Sequence, residues 1–395
     1  MSKIKVKTTG SRTNIPNSLI DSWKSVLITQ GKFPKGTNKG EHKPDFLVKI
    51  LARSLKRELA ELWGSFTQSR KRLTENSLTG KKEAMTYLLG FHLANIARYI
   101  HTIEHTNKYW DLPLLIKKQK KINIIDLGCG SGALAQSNLW FVLSSGAKAK
   151  NITIKLVDKS NHLLNAATAG LDEISKDVKI SCHKGDLTTL HIDKYTNDDQ
   201  DTLTIINLGY IWNELCKNKK ASATILRLIE YFNTKQTPCI IIVLEPGSQN
   251  QSRDAMGLRE HLIHEGYTTL YPCPHNIACP LLEKSRDWCY REVYWTHPPI
   301  QKYIDNLMQI ERTILATSSY VFANSAAKKQ LSEKSIAENI IVGRPKRLNN
   351  NKNEKLSDTP SDYLLCTTRG LKKIPITKRP PHQLRGEPLK QSTKQ

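Results

Sequence analysis

The sequence has no run of about 18 consecutive apolar residues, the length that a helix needs to cross a membrane. It also has no apolar core behind its charged start, Met1 to Lys7, so its first residues do not resemble a secretory signal. We therefore expect an intracellular protein without a membrane partner. In that setting the eight cysteines are expected to be thiols or metal ligands rather than disulfides.

Acidic residues are scarce: 36 Asp and Glu stand against 60 Lys and Arg, which gives a net charge of +24. The excess is concentrated at the two ends, with +11 over residues 1–72 and +9 over residues 343–395. Basic ends around a nearly neutral centre favour binding to the phosphate backbone of a nucleic acid. The alternative is a solvated basic surface without a phosphate partner.

Composition and periodicity divide the chain into five parts. Residues 1–42 are expected to form a basic, loosely ordered arm with one short helix over residues 20–27, and the helical spacing of apolar residues in 43–117 predicts an N-terminal helical cap. Strands alternate with helices over 118–342, which predicts an α/β domain with a seven-stranded, mostly parallel sheet. Two short strands in the basic stretch 343–379 predict a small β appendage, and 380–395 are expected to be a disordered tail.

A glycine-rich loop, Asp126-Leu-Gly-Cys-Gly-Ser-Gly132, separates a predicted strand from a predicted helix. Glycines adopt backbone angles that side chains forbid, and they let the chain approach a ligand closely. The spacing resembles the first motif of class I S-adenosylmethionine-dependent methyltransferases and differs from the dinucleotide fingerprint. This resemblance implies a cofactor site at Asp126, Gly128, Gly130 and Gly132. The alternative is a plain tight turn.

Three polar residues that follow later strands complete the predicted cofactor site. In class I methyltransferases an acid after the second strand binds the ribose hydroxyls, and Asp158 occupies that place. Asp186 follows the third strand and matches the acid on the adenine side, and Asn207 lies near the end of the fourth strand. Either acid, taken alone, is equally compatible with a helix N-cap or a turn.

The sequence does not identify a catalytic residue. The fourth strand ends Asn207-Leu208-Gly209-Tyr210, without the Asn/Asp-Pro-Pro-aromatic motif of enzymes that methylate exocyclic base nitrogens. Cys216 has no neighbouring proline, and Cys239 precedes an apolar strand, so neither fits the nucleophile of a cytosine-C5 methyltransferase. Whether the protein is an enzyme is therefore left open.

The proline-flanked segment 272–297 contains three cysteines within seventeen residues: Cys273, Cys279 and Cys289. Thiolates gathered in an irregular loop indicate a metal site, and Cys-Pro pairs favour iron–sulfur ligation. Zinc, with His275 or His297 as a fourth ligand, is the competing metal. Three unrelated buried thiols are the remaining alternative.

These motifs, in this order, resemble the Rsm-type methyltransferase-like family of small-ribosomal-subunit assembly proteins of mitochondria and bacteria. The resemblance runs from about residue 45 to residue 378, and its motifs are Glu245-Pro-Gly247, Pro272-Cys-Pro-His275, Cys279-Pro-Leu281, Trp288-Cys289 and Leu365-Cys366-Thr367. It implies a 4Fe-4S cluster held by Cys273, Cys279, Cys289 and Cys366. Only the resemblance selects Cys366, because it is remote from the other three in the sequence.

Three hypotheses follow. The first is a methyltransferase-like factor that binds S-adenosylmethionine, a 4Fe-4S cluster and small-subunit rRNA and serves small ribosomal subunit assembly or translation. We expect it to be a monomer, in the cytoplasm if bacterial and in the mitochondrial matrix if eukaryotic. The second is an active rRNA methyltransferase. The third is a zinc-stabilised nucleic-acid-binding protein that binds no S-adenosylmethionine.

Overall fold

The computed structural model describes residues 12–67, 78, 80–196, 198–335, 338–343, 346–347, 361–376 and 385. Within these ranges the helices are α1 (Asn17–Gln30), α2 (Pro44–Ser54), α3 (Lys56–Thr67), α4 (Lys81–Tyr109), α5 (Leu112–Lys117), α6 (Ala133–Ser144), α7 (Asn161–Ile174), α8 (Trp212–Leu215), α9 (Lys219–Thr234), α10 (Gln249–His264), α11 (Pro299–Leu307) and α12 (Ser325–Gln330). The strands are β1 (Lys121–Leu127), β2 (Ile152–Asp158), β3 (Lys179–Lys184), β4 (Thr202–Gly209), β5 (Cys239–Pro246), β6 (Thr268–Tyr271), β7 (Arg291–Tyr294), β8 (Ile314–Ala323), β9 (Asn339–Ile341), β10 (Lys346–Arg347), β11 (Ser361–Thr367) and β12 (Gly370–Ile376).

The main sheet has the strand order β3-β2-β1-β4-β5-β8-β6. The first five strands of this order are parallel, whereas β8 runs antiparallel to β5 and β6. Strands β1, β4 and β5 are buried almost throughout because helices cover both faces, which explains their continuous runs of Ile, Leu and Val. This arrangement confirms the predicted class I methyltransferase fold.

One further strand, β7, pairs antiparallel with β8 and was not predicted. It has only four residues and lies within the cysteine segment 272–297, just after Cys289. A run this short is too brief for an alternating pattern to distinguish it from a loop. It makes the main sheet eight-stranded.

The short helix expected over residues 20–27 lies within the longer helix α1, Asn17–Gln30. Its apolar residues Leu19, Trp23 and Val26 recur at helical spacing and are buried against the methyltransferase domain. The Trp23 Nε1 donates to the Leu88 carbonyl at 2.8 Å, and packing on α4 and α7 fixes the helix. Residues 1–11 of the predicted arm lie outside the described residues.

The C-terminal strands form a separate small antiparallel sheet, in which β11 pairs with β9, β10 and β12. This sheet agrees with the predicted β appendage. Side chains of β11 alternate between two cores: Tyr363 and Leu365 face a small local core, whereas Cys366 joins a core of the main domain. The predicted tail, 380–395, lies outside the described residues except for Arg385.

No described helix is both long enough and apolar enough to cross a membrane.

Candidate functional site

The glycine loop follows β1 and uses the left-handed backbone region three times, with φ of +67° at Gly128, +52° at Gly130 and +75° at Gly132. A Cβ atom on Gly128 or Gly132 would come within 2.8 Å or 2.6 Å of a neighbouring side chain, so these two glycines are required for packing. At Gly130 the nearest atom, on the ring of Tyr87, would be 3.6 Å away. A side chain at Gly130 would thus meet Tyr87 only at ordinary van der Waals distance, so the positive φ rather than crowding favours glycine there.

Asp158, at the end of β2, holds this loop in place. Its Oδ2 accepts a hydrogen bond from the Gly130 N–H at 2.8 Å, and its Oδ1 accepts one from the Ser160 N–H at 2.8 Å. Burial raises the pKa of Asp158, and the backbone donors partly oppose that rise. Each carboxylate oxygen has a further lone pair, so the same side chain has acceptors left for two ribose hydroxyls.

Asp126 and Asn207 lie side by side in the paired strands β1 and β4 and are both buried. The Asp126 Oδ2 accepts from the Ala135 N–H at 3.0 Å, near the start of α6, and the Asn207 Oδ1 accepts from Asn138 Nδ2 at 2.9 Å. Burial raises the pKa of Asp126 to about 7. These two predicted cofactor residues therefore brace the glycine loop and α6 from within the core.

Asp186 follows β3 at the same edge of the sheet, where the Gly185 N–H donates to the Asp158 carbonyl at 3.1 Å. The Asp186 Oδ1 accepts from the Thr188 N–H at 2.8 Å, and the Asp186 Oδ2 pairs with Lys159 Nζ at 2.9 Å. These contacts, led by the Thr188 N–H, lower the pKa of Asp186. The side chain thus has the N-cap geometry that the sequence left open, next to the predicted cofactor site.

Helix α4 places side chains against the glycine loop that sequence reasoning missed. Tyr87 lies against the glycine loop, and the His92 Nδ1 is 2.8 Å from the Ser131 hydroxyl. Burial lowers the pKa of His92 to about 3, so this pair ties the loop to α4 and does not supply a base near neutral pH. No sequence signal links α4 to the loop, because an ordinary amphipathic helix has the same pattern.

At the carboxyl ends of β4 and β5 the backbone adopts an uncommon conformation at Tyr210, with φ of +60°. The Arg98 guanidinium lies 5.9 Å from the centre of the Tyr210 ring. The neighbouring Glu245 carboxylate is fully buried and accepts from Asn213 Nδ2 at 2.6 Å and from the Asn213 N–H at 3.2 Å. These groups form a polar, aromatic edge beside the glycine loop without an evident nucleophile.

The structure brings the four predicted metal ligands into one neighbourhood. Cys289 and Cys366 are buried in a core of the main domain, and Cys273 and Cys279 pack against that core. Burial raises the pKa of the Cys366 thiol, and negative charge on any of the other three sulfurs would raise it further. For the same reasons the pKa of Cys279 is raised to about 12.

In the described part of the chain, no group of three or more His, Cys, Asp or Glu side chains has the geometry to hold a metal ion. The thiols are therefore neighbours without a closed coordination shell. His275 lies close, with Nε2 3.1 Å from Cys366 Sγ, whereas His297 pairs with Asp305 at 3.4 Å. Of the two histidines considered for zinc, His275 is the one beside the thiols.

Two buried arginines accompany the thiols. The Arg291 Nη2 donates to Cys289 Sγ at 3.3 Å, and Arg259 is attracted to Cys273. Burial lowers the pKa of Arg259, but Cys273 and Glu260 more than offset this effect. Buried cations need an anionic partner, and thiolate sulfur supplies one. Four thiols with two buried cations therefore match the donor chemistry, though not the closed geometry, of a metal or iron–sulfur centre, which holds cysteine as thiolate.

The strand order and the glycine loop define the class of this protein, a class I S-adenosylmethionine-dependent methyltransferase fold. Within this class, the sequence model of the Rsm22 family, described as mitochondrial small ribosomal subunit Rsm22, matches residues 120–351. The match covers more than half of the 395 residues. The chain belongs to the Rsm22 family.

Solved structures of similar fold include three methyltransferases. A protein classed as a class I S-adenosylmethionine-dependent methyltransferase, from Listeria monocytogenes, is 13% identical, with 78% of this chain and 88% of that chain covered and a TM-score of 0.38. An rRNA methylase from Streptococcus thermophilus is 10% identical, with 53% of this chain and 92% of that chain covered and a TM-score of 0.29. M. capricolum TrmK in complex with S-adenosylhomocysteine is 13% identical, with 53% of this chain and 65% of that chain covered and a TM-score of 0.27. Scores this low carry no argument about activity. No curated protein matches the sequence.

We predict that Asp126→Asn weakens the dependence of stability on pH. Because the pKa of Asp126 is raised from 3.8 to about 7, the folded protein keeps a proton that the unfolded chain releases. The stabilisation is complete below the unfolded pKa and is lost as pH rises through the folded pKa. Melting temperatures, measured between about pH 5 and pH 8, should therefore fall less in Asp126→Asn than in the unsubstituted protein.

The substituted amide keeps the oxygen that accepts from the Ala135 N–H, so the start of α6 retains its hydrogen bond. Asp172→Asn, at an exposed position of α7, is the control and should keep the original pH dependence. Identical pH profiles for Asp126→Asn and the unsubstituted protein would contradict the prediction.

Proposed function

We propose that this protein is an RNA-binding factor of the small ribosomal subunit that binds S-adenosylmethionine at the glycine loop and a 4Fe-4S cluster at the four cysteines. The observation that carries the proposal is the convergence of Cys273, Cys279 and Cys289 with Cys366 in a member of the Rsm22 family. Three of these thiols belong to one irregular segment, and the fourth belongs to a strand of the second sheet. A single group bound by all four sulfurs would explain why a strand of the second sheet places its cysteine beside this segment.

The cofactor proposal is supported by the geometry at Gly130 and Asp158. The loop adopts positive φ at Gly130, whose N–H donates to Asp158, and the Asp158 carboxylate, which also accepts from the Ser160 N–H, retains acceptors for hydroxyl groups. S-adenosylmethionine, when bound, supplies an activated methyl group. Asp186 is proposed to approach the adenine side, and Asp126 and Asn207 are proposed to support the loop from beneath.

The proposal that small-subunit rRNA is the partner is supported by the family description and by the net charge of +24. Lys and Arg side chains bind phosphates and release condensed counterions. We propose that the protein acts as a monomer, in the mitochondrial matrix if it is eukaryotic and in the cytoplasm if it is bacterial. Methyl transfer to that RNA is kept as the alternative function, because the RNA itself would supply the attacking atom and no residue around Tyr210 and Glu245 is assigned to that step.

Asp158→Ala should weaken S-adenosylmethionine binding by about tenfold or more, because it removes a charged acceptor and the anchor of the Gly130 N–H. Isothermal titration calorimetry of the folded variant measures this change. Asp172→Ala, which removes an exposed carboxylate from α7, should leave the affinity unchanged. Equal affinity in Asp158→Ala and the unsubstituted protein would exclude this site.

Cys366→Ser should lose its iron and acid-labile sulfide, because it removes the ligand that the second sheet provides. Both are quantified, together with zinc, in protein that is purified without oxygen. Cys216→Ser removes a partly buried thiol that the resemblance does not select, and it should retain the full iron content. One zinc and no iron in the unsubstituted protein would replace the cluster by the zinc alternative.

Binding to a small-subunit rRNA fragment should weaken steeply as salt is raised, because each phosphate contact releases counterions. The slope of the logarithm of the association constant against the logarithm of salt concentration measures this effect. A non-ribosomal RNA of equal length tests specificity. A flat salt profile would contradict the proposed role of the basic residues.

A further inference from the structure

The two arginines beside the cysteines are the most unusual charges in the described part of the chain. Arg259 and Arg291 are among the largest side chains that are fully buried. Taking a guanidinium group out of water is unfavourable unless an anion or several acceptors surround it. The fold therefore has to provide compensation at this place.

Arg291 receives little compensation from oxygen. Its Nη1 donates to the Tyr290 carbonyl at 3.1 Å, and its Nη2 donates to Cys289 Sγ at 3.3 Å. Its Nε has no hydrogen-bond partner among the described residues, and none of their carboxylates forms an ion pair with it. A neutral thiol is a weak acceptor, so the buried charge of Arg291 is matched only when the sulfur carries negative charge.

Arg259 approaches the same site from helix α10. It donates to the Ile277 carbonyl at 2.9 Å and to the His275 carbonyl at 3.0 Å, which fixes the loop between Cys273 and Cys279. It also pairs with the partly exposed Glu260, whose Oε2 accepts from the Cys279 N–H at 3.2 Å. One arginine therefore lies at each end of the cysteine segment.

We propose that Arg259 and Arg291 are positioning residues that act as counter-ions of the thiolate centre, and that they favour its more reduced, more negative state. The inference rests on the proposed metal centre and adds a regulatory property to it. A 4Fe-4S cluster on four thiolates is an anion, and one added electron increases its negative charge. Two fixed cations in a buried, low-dielectric site stabilise that electron, because water screens them poorly.

The test measures the reduction potential of the cluster in full-length protein that is purified without oxygen. Arg291→Gln should shift the potential to a more negative value, because it removes a positive charge next to Cys289 and leaves a polar side chain. Arg259→Gln should shift it in the same direction. Arg291→Lys keeps the charge and should stay near the original potential. Comparing it with Arg291→Gln separates the effect of the charge from the effect of side-chain shape.

Arg253 provides a matched control. Its Nη1 donates to the Lys284 carbonyl at 2.9 Å and the Asp287 carbonyl at 2.7 Å, so it fixes the same segment through backbone oxygens without contacting sulfur. Arg253→Gln should leave the potential unchanged. An unchanged potential in both Arg291→Gln and Arg259→Gln, with iron fully retained, would overturn the inference.

The remaining outcomes are also decisive. If Arg291→Gln loses its iron during purification, retention by Arg291→Lys supports the inference, and equal loss from Arg291→Lys overturns it. If the unsubstituted protein holds zinc, which has no redox chemistry, the proposed cluster and the inference about its reduced state both fail. If the unsubstituted protein holds neither metal, the proposed centre and the inference both fail.

Discussion

The contact between Cys366 and the cysteine segment is the constraint on which the second site of this protein depends. Strand β11 alternates its side chains, so that Leu365 completes the small core of the second sheet while Cys366 enters the core of the main domain. Cys366, together with Ile340, Leu364 and Leu371, thus packs the second sheet against the main domain, although no described strand of one sheet pairs with a strand of the other. A group bound by all four sulfurs would turn this contact into a cross-link, and its binding free energy would then contribute to the stability of the fold.

The burial of cations next to these sulfurs gives that cross-link an electrostatic basis. A neutral thiol does not compensate a buried guanidinium, whereas a metal-bound thiolate does. The free energy of burying Arg291, and in part that of Arg259, which also pairs with Glu260, is therefore coupled to the charge of the sulfur atoms. In the proposed centre, the same coupling would make its reduction potential depend on these two arginines.

The main fold could be predicted from the sequence because the patterns that indicate it lie within short stretches of the chain. Buried parallel strands are recognisable as continuous apolar runs, and the glycines between Asp126 and Gly132 indicate a backbone conformation that side chains would hinder. Helix α1 was predicted too short, over residues 20–27, and its place in the core was not predicted, because only long-range packing on α4 and α7 shows that Leu19 and Trp23 are buried. Strand β7 was missed because four residues contain no measurable period.

The candidate sites were likewise predicted only in part from the sequence. Motif order located Asp158 and the glycines, but it could not show that Asp126 and Asn207 are buried braces, since burial depends on the helices that cover them. Arg259 and Arg291 carried no signal in the sequence. An arginine is usually exposed, and only the fold reveals that these two are buried against sulfur.

The central claim is that a group bound by the four cysteines joins the second sheet to the main domain. Hydrogen–deuterium exchange of the full-length protein, with the metal centre intact and after its removal, tests this claim directly. The account predicts that removal accelerates exchange in β11, β12 and the segment from Cys273 to Cys289, while β1 and β4 stay protected. Unchanged protection of β11 and β12 after complete removal of the metal would contradict it.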